Sequence, residues 1–185
     1  MSSPTLKRST MLGKGFTLIE LLMVIGIIGI LAAVILVAVD PAKRLKQARN
    51  ARRFSEVNGL LNAILNYTVD NRGTLPTVIS GTSAGVVLIV GSGTAALNPF
   101  TATLCPNNIT SAGTSTGYAN LNTDLVDTYI AELPVDPRGS NISGDAFSAN
   151  VTGYYVKRTS NGRVEIGACN PEDEGNGVSA IKVKR

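Results

Sequence analysis

One carboxylate, Glu20, stands in a run of residues, 16–39, that holds no other ionisable side chain. A carboxylate in a membrane helix costs about 2.5–3.5 kcal/mol at the helix centre and less near its end, so a charge kept there calls for a partner. A cut between Gly15 and Phe16 supplies one. Phe16 then carries a free, positive α-amine, and Glu20 lies four residues on, along the same helical face. The helix macrodipole also favours a negative charge at this end. In a bundle of such helices, Glu20 would pair with the amine of its own chain or of a neighbour. One positioned charge would then act as an assembly register.

Other chemistry is sparse. The 185 residues include no His and no Trp, which removes the commonest general base and the commonest metal ligand. Gly91-Ser92-Gly93-Thr94-Ala95-Ala96 has the letters of a dinucleotide-binding GxGxxA loop. Its context fails: Asn98-Pro99 ends any helix within about a turn, and no acid stands near the required ~20 residues further on. The segment reads as a loop glycine pair. No GxSxG nucleophile motif occurs. An enzyme is therefore not expected, and no cofactor is implied. The only two cysteines, Cys105 and Cys169, read as one disulfide if the domain is exported, in preference to two buried thiols.

The element that must carry Glu20 is the run 16–39, whose 24 residues are enough to cross a ~30 Å hydrocarbon core as a helix. Three readings fit a basic stretch followed by such a run. A secretory signal has an apolar core of about 7–15 residues and a small-residue cleavage site; the longer run weakens this reading, and the small residues around Ala32 and Ala38 keep it open. A plain anchor fits the length and leaves Glu20 unexplained. A leader cut at Gly15 explains both. The net charge of +4 is concentrated near this run. Lys7, Arg8 and Lys14 precede it, and Lys43, Arg44, Lys46, Arg49, Arg52 and Arg53 follow against only Asp40 and Glu56. Beyond Glu56, eight basic residues face ten acidic ones, so the remainder is slightly acidic.

The string Gly15-Phe16-Thr17-Leu18-Ile19-Glu20-Leu21-Leu22-Met23-Val24-Ile25 resembles the class III signal of type IV prepilins and pseudopilins: a Gly, an aromatic residue, three residues, a Glu, then an apolar helix. The resemblance covers roughly residues 14–42 and is vague afterwards. It implies cleavage after Gly15 by a cytoplasmic-side prepilin peptidase, N-methylation of Phe16, and a role for Glu20 in docking the subunit into a growing fibre. It also implies an outward-facing head, although a plain positive-inside count, six basic residues after the run against three before it, would place the head inside. The implied partners are other copies of the chain, the peptidase, an assembly platform with its ATPase, and membrane lipid before assembly. Leu133-Pro134-Val135-Asp136-Pro137-Arg138-Gly139 is similar to a segment preceding a calcium loop in major pseudopilins, which makes Asp136, Asn141 and Asp145 weak calcium candidates. An ordinary turn is the preferred reading, because calcium takes six or more oxygens.

The expected fold is α+β, a long N-terminal helix packed on a small antiparallel head. Residues 1–15 read as a leader, 16–39 as a transmembrane and assembly helix, 40–73 as an amphipathic stem and 74–185 as the head. Gly29 and Ala33 have the spacing that lets membrane helices approach closely. Pro41 predicts a kink or local unwinding near residues 37–41. Phe54, Val57, Leu61, Ile64 and Thr68 then form one face, flanked by Leu60 and Leu65, with Gly73 as C-cap. The basic cluster from Lys43 to Arg53 is read as a solvated helix face, with anionic lipid, nucleic acid and acidic subunits as the alternatives. In the head, a strand is expected at 86–90, a helix at 122–132, and a hairpin of strands 154–158 and 164–169 around a type I′ turn at Asn161-Gly162. A last strand is expected within 179–184. Sequons at Asn66, Asn108, Asn141 and Asn150 are expected by chance in a chain this rich in Asn, Ser and Thr.

Overall fold

The computed structural model describes residues 15–92, 105, 117–140, 146–177 and 179–185, and the chain divides into two units at Pro41. In the first unit, helix α1 spans Leu18–Val39, and none of its 22 residues is buried. It is apolar on every side, the pattern of a helix whose surroundings are themselves apolar. Among the described residues it is the one helix long and apolar enough to cross a membrane. The helix ends at Asp40, whose backbone is left-handed with φ 40°. Proline disfavours the right-handed helical region in the residue before it, and Asp tolerates the left-handed one. The local unwinding expected near residues 37–41 is thus confined to a single residue, and Pro41 opens the next helix at the position where its missing N–H costs least.

Helix α2 spans Pro41–Asp70, all but its first residue in the second unit. Its C-terminus closes where Arg72 and Gly73 turn left-handed, at φ 57° and 86°, and the Gly73 N–H donates to the Thr68 carbonyl at 2.7 Å. The buried face differs from the expected one. Val57, Leu60, Leu61 and Ile64 are inside, but Phe54 is 54% exposed and its neighbour Arg53 is fully buried. The stripe Arg53-Val57-Leu60-Ile64 follows the same three- and four-residue spacing, rotated by one position at its start. Periodicity in apolar letters alone cannot register a buried arginine.

Two one-turn helices follow at different points, α3 (Thr77–Ser80) and α4 (Asn122–Leu125). The helix expected over 122–132 stops after that first turn. Asp127 sits at φ 67° and its N–H donates forward to the Ile130 carbonyl, so the chain turns here instead of continuing the helix. Leu125 is buried, and Val126, Tyr129 and Ile130 still pack on the core as the pattern required.

Five strands form one sheet in the order β2-β1-β3-β4-β5, with β1 at Val87–Val90, β2 at Gly117–Ala119, β3 at Tyr154–Arg158, β4 at Val164–Ala168 and β5 at Lys182–Lys184. The fold is α+β and the sheet mostly antiparallel; β1 and β2 run parallel, with Leu88 opposite Gly117. The hairpin β3–β4 forms in the expected place but by a different turn. Asn161 does not have positive φ, Gly162 does at 74°, and the Gly162 N–H donates to the Thr159 carbonyl. That is the three-residue loop with a left-handed glycine, not the two-residue type I′ turn. Gly91 earns its place by close approach, because a Cβ there would lie 2.1 Å from the Asn150 carbonyl oxygen. Gly93 and the rest of the GxGxxA letters lie outside the described residues.

The main core joins Val57, Leu60, Leu61 and Ile64 of α2 to the inner face of the sheet, Leu88, Val90, Tyr154, Val156, Val164 and Ile166. The opposite face is covered too. Val87, Ile89 and Tyr155 pack with Cys105 and Cys169, and the Tyr155 ring lies over Gly167 directly across the ladder. Cys105 and Cys169 are joined as a disulfide, as the sequence suggested, at a separation of 64 residues. In the chain-entropy picture such a closure is worth about 4 kcal/mol. Replacing both cysteines by serine is expected to lower the denaturation midpoint by a corresponding amount. Chemical denaturation with and without reductant measures this, and equal midpoints would refute it.

Candidate functional site

Two constellations of polar groups stand out, one in each unit. The first is at the start of α1. Thr17 is the N-cap, and its hydroxyl accepts from the Glu20 N–H at 3.3 Å. In return, one Glu20 carboxylate oxygen accepts from the Thr17 N–H at 2.8 Å and from the Thr17 hydroxyl at 2.7 Å. This is a reciprocal capping box, and it satisfies two of the backbone donors that a helix start leaves open. Sequence reasoning concentrated on Glu20 and passed over Thr17, although the Thr-x-x-Glu signature preceding an apolar run was available to it. Phe16, immediately before the cap, is 86% exposed. Glu20 is therefore oriented by its own chain at the end of α1 where Gly15 and Phe16 also lie. The arrangement presents a fixed negative charge within a turn of the peptide bond between them.

The second constellation lies inside the head unit and was not foreseen. Arg53, at 0% exposure, reaches from α2 into the core. Its Nε and Nη2 donate to the two carboxylate oxygens of Asp136 at 2.8 and 2.7 Å, and its Nη1 donates to the Asn50 amide oxygen at 2.8 Å and to Glu172 at 3.0 Å. One turn earlier, Arg49 grips Glu172 with both Nε and Nη2 at 2.6 Å. The amide of Asn50 completes the set. Its nitrogen donates to the Glu172 carbonyl and to Glu174, each at 2.8 Å, and its oxygen accepts from the Glu172 N–H at 3.0 Å. Three side chains of α2 thus hold the loop around Asp136 and the segment 172–174. The weak calcium candidate Asp136 is buried with both oxygens on Arg53, one of them also accepting from the Arg138 N–H at 2.8 Å. Asn141 and Asp145 lie outside the described residues.

The electrostatics follow from this geometry. Burial works against the Arg53 charge, but the Asp136 and Glu172 carboxylates outweigh it and raise the guanidinium above its ordinary value. Burial likewise pushes the Glu172 carboxyl up, and Arg49 and Arg53 together pull it below its ordinary 4.5. A carboxyl whose folded pKa is depressed adds stability above its unfolded value, and that stability is lost as pH falls through the folded one. The segment 172–174 is therefore expected to be held at neutral pH and to loosen in acid, as pH falls through the lowered Glu172 pKa. Amide hydrogen exchange across 172–177 at pH 7 and pH 3, with Glu172→Gln as comparison, measures it; exchange in the wild type that does not respond to acid beyond the Glu172→Gln variant would contradict the assignment.

Nearby, burial and the Glu56 carboxylate raise the Tyr154 phenol well above its ordinary value, and its hydroxyl donates to Glu56, which also pairs with Arg52. Among the six basic residues of the stem's first turns, Arg49, Arg52 and Arg53 thus have internal carboxylate partners. The expectation of a solvated basic face is corrected at Arg49 and Arg53, onto which Glu172 and Asp136 fold back; Arg52 stays exposed and pairs with Glu56 of the same helix.

Residues 13–36 match the family model described as the prokaryotic N-terminal methylation motif. No curated protein and no solved structure matches the chain.

Proposed function

We propose that this chain, a type IV pilin- or pseudopilin-type prepilin-like protein by its N-terminal methylation motif, is a structural subunit of a type IV pilus. The observation that carries the reading is the placement of Glu20. A single charge in an apolar helix is fixed by the Thr17 cap within a turn of Phe16, whose nitrogen becomes a cationic amine once residues 1–15 are removed. On this reading a prepilin peptidase cuts after Gly15 and Phe16 is N-methylated. Residues 16–39 span the cytoplasmic membrane and later form the fibre core, 40–73 are the stem, and 74–185 are the head outside the membrane. Extraction into the fibre is driven by a separate platform and ATPase. The exposed apolar surface of α1 supports this mechanism, because in a monomer only lipid can cover it and in a fibre other copies do. No catalytic step is assigned to the chain.

N-terminal peptide and intact mass spectrometry on membrane and sheared surface fractions tests the reading. A chain that starts at methylated Phe16 and is abundant in the sheared fraction is the expected result. The same end found only in membranes would assign the chain to a secretion pseudopilus or to a minor or competence pilin. An uncut chain, or a cut near Ala32 to Ala38, would overturn the proposal.

A further inference from the structure

Five of the six basic residues between Lys43 and Arg53 divide into two sets. Arg49, Arg52 and Arg53 each have a carboxylate within hydrogen-bond distance. Arg44 and Lys46, in the first two turns of α2, have no ion pair among the described residues. Between them Leu45 is 59% exposed. The stability of the head therefore gives no account of these three side chains.

Their distance along the chain from α1 is short. Arg44 is five residues beyond Val39 and Lys46 seven; with two extended steps to Pro41 at ~3.6 Å and a helical rise of ~1.5 Å per residue after it, they lie at most about 12 and 15 Å along the chain from the end of the apolar helix. The polar zone of one leaflet adds about 5–7 Å to the hydrocarbon core, and electrostatic attraction extends about 8 Å further at physiological salt. Long basic side chains and an exposed leucine just outside an apolar span have the composition of a membrane-interface segment: charges meet phosphates while the aliphatic parts rest at the acyl boundary.

We propose that Arg44 and Lys46, with Leu45 between them, bind anionic phospholipid headgroups while the chain resides in the membrane. The inference rests on α1 crossing that membrane. Two charges without an ion pair among the described residues are few for a nucleic-acid track, which neutralises many phosphates in a row. They are suited to one or two lipid headgroups, and each adds about a fivefold preference for an anionic surface.

The test uses the full chain, extracted from its host membrane and reconstituted into nanodiscs of equal phosphatidylglycerol and phosphatidylcholine. Lipids retained after release into mild detergent are counted by native mass spectrometry. The wild type is expected to keep phosphatidylglycerol over phosphatidylcholine at least tenfold. Arg44→Gln/Lys46→Gln should lose that preference, and the exposed hairpin control Arg163→Gln should keep it. A wild type that keeps both lipids equally, or a double variant that selects as the wild type does, overturns the assignment. Equal lipid retention together with Arg44- and Lys46-dependent capture of single-stranded DNA would assign the residues to nucleic acid instead. A chain absent from the membrane fraction would overturn the spanning role of α1, and this inference with it.

Discussion

Arg53→Ala is expected to destabilise the head by about 3–5 kcal/mol, a large share of the 5–15 kcal/mol typical of a domain. Truncation removes both hydrogen bonds to Asp136, whose side chain is fully buried and, among the described residues, accepts otherwise only from the Arg138 N–H. It also takes one donor from Glu172 and one from the Asn50 amide oxygen. Most of the cost comes from the charge left behind rather than from the attraction lost. Arg53→Met with Asp136→Leu should therefore recover much of the loss, because removing both partners leaves no unpaired buried ion. Denaturant melts of the three proteins give the comparison. A single variant within 1 kcal/mol of wild type would show that Asp136 finds water or another donor.

The second large effect is on assembly. Glu20→Gln keeps a side-chain acceptor for the Thr17 N–H and so preserves the capping box, since Gln serves at that position as Glu does. It removes only the charge. Processed subunit should still accumulate in the membrane, and sheared fibre should fall by at least tenfold. Glu20→Ala removes cap and charge together and should be no better. If Glu20→Gln assembles normally and Glu20→Ala does not, the carboxylate serves the helix end and not the register between subunits. Quantitative blotting of the two fractions separates these outcomes.

The α+β architecture was legible because its main signals are one-dimensional. The apolar run, Pro41, the closing Gly73 and the Asn161-Gly162 loop each mark a local event. What escaped depends on distant partners. Arg53 looks like any surface arginine until Asp136, 83 residues away, and Glu172, 119 residues away, are brought to it. Strand β2 is three residues long and pairs in parallel with a strand some thirty residues earlier, so no hairpin signal announces it. The helix expected beyond Leu125 failed for the opposite reason: its apolar spacing was right, but the backbone turns left-handed at Asp127. At the N-terminus, the motif was readable from residue types alone because its chemistry is contained within six consecutive residues, Gly15 to Glu20.

Strand β5 bears on how many copies of this head can be crowded together. It is an edge of the sheet, three residues long, with Lys182 and Lys184 exposed and Arg185 following. Two such edges brought side by side would set like charges against one another along the whole contact, and a strand this short offers few backbone hydrogen bonds in return. Heads packed at high local concentration therefore do not zip into a continuous sheet from this side. In the proposed fibre, neighbours would be left to meet through side chains, and this edge would not serve as a template for cross-β aggregation.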